Sequence, residues 1–168
     1  MEKYFYFDAN ISAKCDARMI NGTTQKLWNS FCVGVSKLEL SQGENNTFVI
    51  GDVTKPVLPD GREYAISVGE EGICIVAKDY NSLMRGFYVL LMQIRFETAN
   101  GKRLSKIPCL EQTDTYVLKN RMIHLCVFPE HDLHYVKKMI RLSALCQYTH
   151  VVIEFWGMLK YDCLEELA

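Results

Sequence analysis

Glu154 is the residue most out of place by type, a lone carboxylate inside the apolar run Val151–Trp156. Taking a carboxylate out of water is costly unless it is paired or solvated, so this position points to a partner or to a site. Trp156, two residues on, offers an indole that can stack on the face of a sugar ring. Its commoner fate is burial in a core or an interface. His124 lies inside a second apolar run, Met122–Phe128, where a histidine is more often a packed residue than a base. His131 and His134 flank a helix start and are expected to be solvated. These groups form no convergent acid/base set, so no catalytic residue is assigned within the chain. The glycine-containing turns match neither G-x-x-x-x-G-K-[ST] nor G-x-G-x-x-G, and a G-x-S-x-G nucleophile elbow is absent.

Seven cysteines stand at 15, 32, 74, 109, 126, 146 and 163, with no Cys-x-x-Cys and no histidine at finger-like spacing. A structural zinc site is therefore not expected, and neither is any other metal or cofactor. The odd count argues against a complete disulfide framework. Cys74, Cys126 and Cys146 fall in apolar runs, where a free thiol behaves as a small hydrophobe. The expectation is a reducing compartment, the cytoplasm. The N-terminus carries no apolar signal-peptide core, and no segment approaches about 18 consecutive apolar residues, so no membrane partner is expected. A formal net charge of −1 gives no electrostatic reason to expect nucleic acid. Hydrophobic content of 49% with 23% charged residues is that of a folded globular chain, and 168 residues suffice for one domain and the start of another.

The elements that position these residues fall into two patterns. Glu63 to Phe96 reads as strand, turn, strand and one strongly apolar helix. Tyr64, Ile66 and Val68 alternate with Ala65 and Ser67, and Ile73 to Ala77 is an unbroken apolar strand expected to be buried on both faces. Gly69-Glu70-Glu71-Gly72 supplies the turn, with a glycine at each end free to take positive φ. Asp79 or Asn81 caps a helix whose stripe is Leu83, Phe87, Leu90, Leu91 and Ile94, widened by Met84, Tyr88 and Met92. Gly86 lets that helix approach a sheet. Earlier, Tyr4 to Ala9 predicts a first strand, and Asn10 to Gly22 is less regular. Thr23 or Thr24 caps a helix carrying Leu27, Trp28, Phe31 and Val35, and short strands are expected at Lys37 to Leu40 and Thr47 to Ile50. Val53 to Arg62 is a surface connection. Thr98 to Lys106 is a polar segment with an Asn100-Gly101 turn, and a connecting segment runs from Ile107 through Asp114.

From Tyr116 the pattern becomes strand (Met122–Phe128), helix (opened by Pro129 and Asp132 and bearing Leu133, Val136, Met139, Ile140 and Cys146), and strand (Val151–Trp156). Strand, helix and strand in that order is a βαβ unit with parallel strands. A further helix is expected over Asp162–Leu167. Parallel strands this apolar call for cover on two faces, and self-association through residues 117–168 is the expected consequence of leaving them open.

Two of these segments together resemble a known arrangement. Tyr64–Phe96, with Asp79-Tyr80-Asn81-Ser82-Leu83-Met84-Arg85-Gly86-Phe87-Tyr88-Val89-Leu90-Leu91-Met92-Gln93-Ile94, resembles the small α/β domain that precedes the barrel in family 20 glycoside hydrolases, the β-N-acetylhexosaminidases. Arg121–Trp156 resembles the first strand, first helix and second strand of that family's (β/α)8 barrel. Val152-Ile153-Glu154-Phe155, followed by Met158, Tyr161 and Asp162, looks most like the hexosaminidase D branch. The resemblance implies an α+β fold: a small β-sheet with helices packed on one face, then a truncated βαβ segment of a barrel. It divides the chain into an accessory domain over residues 1–106, a connection over 107–120 and the βαβ unit over 121–168.

The implied activity of the parent enzyme is hydrolysis of terminal N-acetylhexosamine residues, with the substrate's 2-acetamido group as nucleophile, an exception to the two-carboxylate scheme. The family's catalytic Asp-Glu pair follows the fourth barrel strand, so the chain by itself is expected to be non-catalytic. Arg121 matches the family's sugar-binding arginine at the start of the first strand; its alternative role is an interdomain ion pair. With Glu154 and Trp156 it makes the implied substrate-binding set. Where the family often has Leu-Asp after that strand, this chain has Leu125-Cys126. The competing expectation is a stand-alone carbohydrate-binding or protein-interaction module with no hydrolase activity.

Overall fold

The computed structural model describes residues 2–32, 37–114 and 116–157, and the chain is α+β, dividing into a unit up to Thr115 and a unit from Tyr116. Val35, Met158, Tyr161, Asp162, Cys163 and the helix expected over Asp162–Leu167 lie outside the described residues.

The first unit begins with β1 (Tyr4–Phe7) and β2 (Ile11–Cys15), the second of which falls in a segment expected to be irregular. Its inward residues Ile11, Ala13 and Cys15 alternate with exposed Ser12 and Lys14, but two of the three are small, which makes the sequence signal faint. α1 (Gly22–Phe31) is capped by Asn21 and not by a threonine: the Asn21 side chain accepts from the Thr23 and Thr24 amides. β3 (Leu38–Gln42) and β4 (Thr47–Gly51) follow, and then the hairpin β5 (Tyr64–Val68) and β6 (Gly72–Ala77). α2 (Tyr80–Met92) starts at Asp79, whose side chain accepts from the Ser82 amide.

The polar segment after α2 is a hairpin, β7 (Arg95–Ala99) and β8 (Lys102–Pro108), turned by Asn100 and Gly101 at φ 51° and 74°. Those two positive values suit a tight two-residue hairpin turn, and the charged residues decorate its exposed side. The expected connection from Ile107 to Asp114 is strand as well. β8 runs to Pro108, and β9 (Leu110–Thr113) adds antiparallel to β5. Asp114 then holds the Glu63 amide at 2.7 Å and accepts from Arg62 through its carbonyl at 2.6 Å, which locks this stretch into the first unit.

The main sheet has the order β3-β2-β4-β6-β5-β9, parallel only between β2 and β3, and β1-β8-β7 forms a separate antiparallel sheet. Both helices lie on one face of the main sheet. Trp28 of α1 and Phe87 of α2 stack at 6.3 Å, and Phe48 of β4 meets Phe87 at 5.1 Å. Leu83, Phe87, Leu90 and Leu91 are buried, while Met92, expected in the same stripe, is exposed. A Cβ at Gly86 would meet the Ile75 side chain at 3.0 Å and the Tyr64 ring at 3.2 Å, so glycine there sets how closely helix and sheet pack. The hairpin glycines act differently from expectation. Neither Gly69 nor Gly72 takes positive φ; a side chain at Gly72 would collide with the Ile50 carbonyl, and it is Gly51 that turns, at φ 66°. β5 is buried along its whole length, because Ala65 and Ser67 are small and flanked by Val76 and Thr113, and by Cys74 and Glu111.

The second unit is the expected βαβ: β10 (Met122–Val127), α3 (Leu133–Leu145) and β11 (His150–Phe155), with the strands parallel from Met122↔His150 to Val127↔Phe155. Asp132 caps α3 by accepting from the Tyr135 amide. Of the expected helix stripe only Val136 is buried; Leu133, Ile140 and Cys146 are exposed, and Ser143 takes an inward place instead. One strand face, with Ile123, Leu125, Val127, Val151 and Ile153, is the more covered. The other, with Met122, His124, Cys126, His150, Val152 and Glu154, is exposed.

Candidate functional site

The uncovered face of β10 and β11 gathers the chemistry. Strand alternation puts His124 and Cys126 on the same side of β10, and the register sets Glu154 of β11 directly beside Cys126. One carboxylate oxygen of Glu154 serves both neighbours: His124 Nε2 lies 2.9 Å from Oε2, and Cys126 Sγ lies 3.5 Å from the same atom. Glu154 is thus paired and partly solvated, which removes the cost of a lone carboxylate in an apolar run. His124 is not the packed core residue its neighbours suggested, because the residues around it in sequence point to the opposite face. Cys126 is likewise exposed, as is Cys146, while Cys74 is buried. Partial desolvation, and then the hydrogen bond and negative charge of Glu154, push the Cys126 thiol up, with the nearby Trp156 indole opposing them.

Trp156 follows β11 directly and is half exposed, its backbone amide donating to the Val127 carbonyl at 3.0 Å. It begins a row of rings. Phe128 lies 5.7 Å from Trp156, His131 lies edge-on at 5.6 Å from Phe128, and Tyr135 lies 4.5 Å from His131. His131 also accepts from the Phe128 amide through Nδ1 at 3.2 Å, which fixes the turn after β10. The row is the feature that sequence reading missed: the aromatic and histidine residues are visible at 128, 131, 135 and 156, but only the parallel register aligns them.

Of the three residues expected to bind substrate, Glu154 and Trp156 come together and Arg121 does not join them. Arg121 precedes the strand and lies five residues before Cys126, about 17 Å along a β-strand. Its guanidinium is used locally, donating to the Gln147 carbonyl at 2.8 Å and the Leu118 carbonyl at 2.6 Å and lying 3.8 Å over the Tyr116 ring. Its amide donates to Thr149 Oγ1 at 2.9 Å. These contacts tie the entry of β10 to the turn before β11.

A carboxylate beside an exposed indole and a row of rings can hydrogen-bond a hydroxyl group and stack against an apolar ring face. Among the described residues no helix is long and apolar enough to cross a membrane. Neither models of known protein families nor curated proteins give a match to this chain.

Proposed function

We propose that the chain supplies the accessory domain and the first βαβ unit of a family 20-like β-N-acetylhexosaminidase, a hydrolase acting on terminal N-acetylhexosamine residues of glycans. The observation that carries this reading is the end at which the site lies. Glu154 lies near the C-terminal end of β11 and Trp156 just past it, beside Phe128 at the same end of the parallel neighbour β10, and (β/α)8 enzymes gather their chemistry at that end. The accessory unit braces, and the second unit contributes one wall of the glycan site: Glu154 accepts from a sugar hydroxyl and Trp156 packs on the ring. Arg121, from its position, holds the strand entry. A cytoplasmic setting and self-association through residues 117–168, driven by the uncovered strand face, belong to the same reading.

Tryptophan fluorescence tests it. N-acetylglucosamine titrated into the chain should change emission saturably, glucose should do so much less, and Trp156→Phe should abolish the response although the buried Trp28 remains. A response that survives in Trp156→Phe contradicts the reading. The chain by itself should release no nitrophenol from nitrophenyl N-acetyl-β-glucosaminide. Sugar binding by a natural full-length protein that also lacks this activity would favour a binding module.

A further inference from the structure

We propose that His124, Cys126 and Glu154 form a three-ligand site for a borderline-soft divalent cation, zinc first among them, on the open face of β10 and β11. The inference shares Glu154 with the glycan reading but rests on no sugar contact. Each residue offers one ligand atom of a different kind, Nε2, Sγ and a carboxylate oxygen, and all three atoms lie within 4.8 Å of one another. Around a tetrahedral zinc, with bonds of about 2.0–2.3 Å, neighbouring ligand atoms stand about 3.3–3.7 Å apart. The Cys126–Glu154 separation, 3.5 Å, falls in that range, and the His124–Glu154 separation, 2.9 Å, is shorter and must open as the ion enters. Small side-chain rotations complete the set, because the backbone positions are fixed by the parallel ladder.

The donor set decides the class of ion. Thiolate with imidazole selects zinc and similar metals over magnesium or calcium, which take oxygen ligands. In the cation-free state the thiol is held protonated and shares the Glu154 oxygen with His124. As the metal–sulfur bond forms, the thiol proton leaves to solvent and the carboxylate turns from the thiol to the ion. Three protein ligands on an exposed face leave the fourth position open to water or to an incoming oxygen.

Cobalt(II), as the spectroscopic stand-in for zinc, tests this with reduced, sugar-free chain. The expected result is one cobalt per chain, with intense tetrahedral visible bands and a thiolate-to-cobalt charge-transfer band, both removed by added zinc. Cys126→Ser should abolish the charge-transfer band, and His124→Ala and Glu154→Gln should each weaken binding by about tenfold or more. Cys146→Ser and Cys109→Ser should leave the spectrum unchanged. All three proposed ligands are exposed, so far-UV dichroism should be unaltered; if Cys126→Ser does unfold the chain, His124→Ala decides by its affinity. Absence of a thiolate band in the wild-type chain, or a band that persists in Cys126→Ser or vanishes in Cys146→Ser, overturns the site. The sugar titration, run with chelator, stands or falls separately.

Discussion

The two units spend the same kinds of residue in opposite ways. In the first, Trp28, Phe48, Tyr64 and Phe87 are fully buried around two helices on one sheet face. In the second, Met122, Phe128, Tyr135, Val152, Phe155 and Trp156 are exposed, and α3 covers only one side of two strands. The first unit has closed its core, and among its described residues no three His, Cys, Asp or Glu ligand atoms converge. The second leaves a strand face uncovered, and that face carries the histidine, thiol, carboxylate and indole. Burial and chemistry are segregated along this chain, and the open unit is where a ligand can act.

The largest effect that could break this contrast is in the first core. Phe87→Ala should destabilise the first unit by roughly 3–5 kcal/mol, through lost burial and the cavity left among Trp28 and Phe48. Val136→Ala, the matching deletion in α3, should cost only about 1–2 kcal/mol. Chemical denaturation of the two variants gives both numbers, and equal costs would erase the distinction.

Next is the acid limb. Hydrogen bonds from the Arg18 guanidinium, and then from the Asn46 and Arg18 amides, hold the buried Asp16 carboxyl well below the usual carboxylate range against the opposing effect of burial. A carboxyl depressed on folding contributes stability that is fully present above its unfolded value, about 3.9, and is lost as pH falls toward the folded one. The first unit's denaturation midpoint should therefore be flat from neutrality to about pH 5 with respect to this group, and should fall below about pH 4. Asp16→Asn should cost roughly 1–3 kcal/mol at pH 7 and flatten that decline. A decline of unchanged slope would mean that another group governs it.

Gly86→Ala tests close packing directly. The new methyl meets Ile75 and the Tyr64 ring, so about 1–3 kcal/mol of overpacking should exceed the helix-propensity gain. A stabilised variant would show that α2 can move off the sheet. The smallest effects are at the caps: Asp79→Ala and Asp132→Ala should each cost about 1 kcal/mol, one read in the first unit and one in the second.

The hairpin with α2 was legible because periodicity, the place of the turn and the cap agree over residues 63–92, although its glycines serve close packing and not positive φ. β2 and β9 were not, since Ala13, Glu111 and Gln112 carry little strand preference and gain their places from neighbouring strands. The β7–β8 hairpin was hidden by its charges, although its Asn100-Gly101 turn was visible. In the candidate site, Glu154 and Trp156 stood out by type, but their partners did not. The contact between Cys126 and Glu154 spans 28 residues and depends on a parallel register that no local pattern specifies. His124 looked like core because its neighbours are apolar; alternation turns it the other way.

Amide hydrogen exchange across the whole chain, with and without N-acetylglucosamine, separates a closed first unit from an open, ligand-binding second one. We expect β5 and β6 to exchange slowest and to ignore the sugar, and β10 and β11 to exchange faster and to be slowed by it near Cys126–Val127 and Glu154–Trp156. Sugar-induced protection within the first unit, or exchange in β10 and β11 as slow as in β5 and β6 without any response to the sugar, would contradict this division.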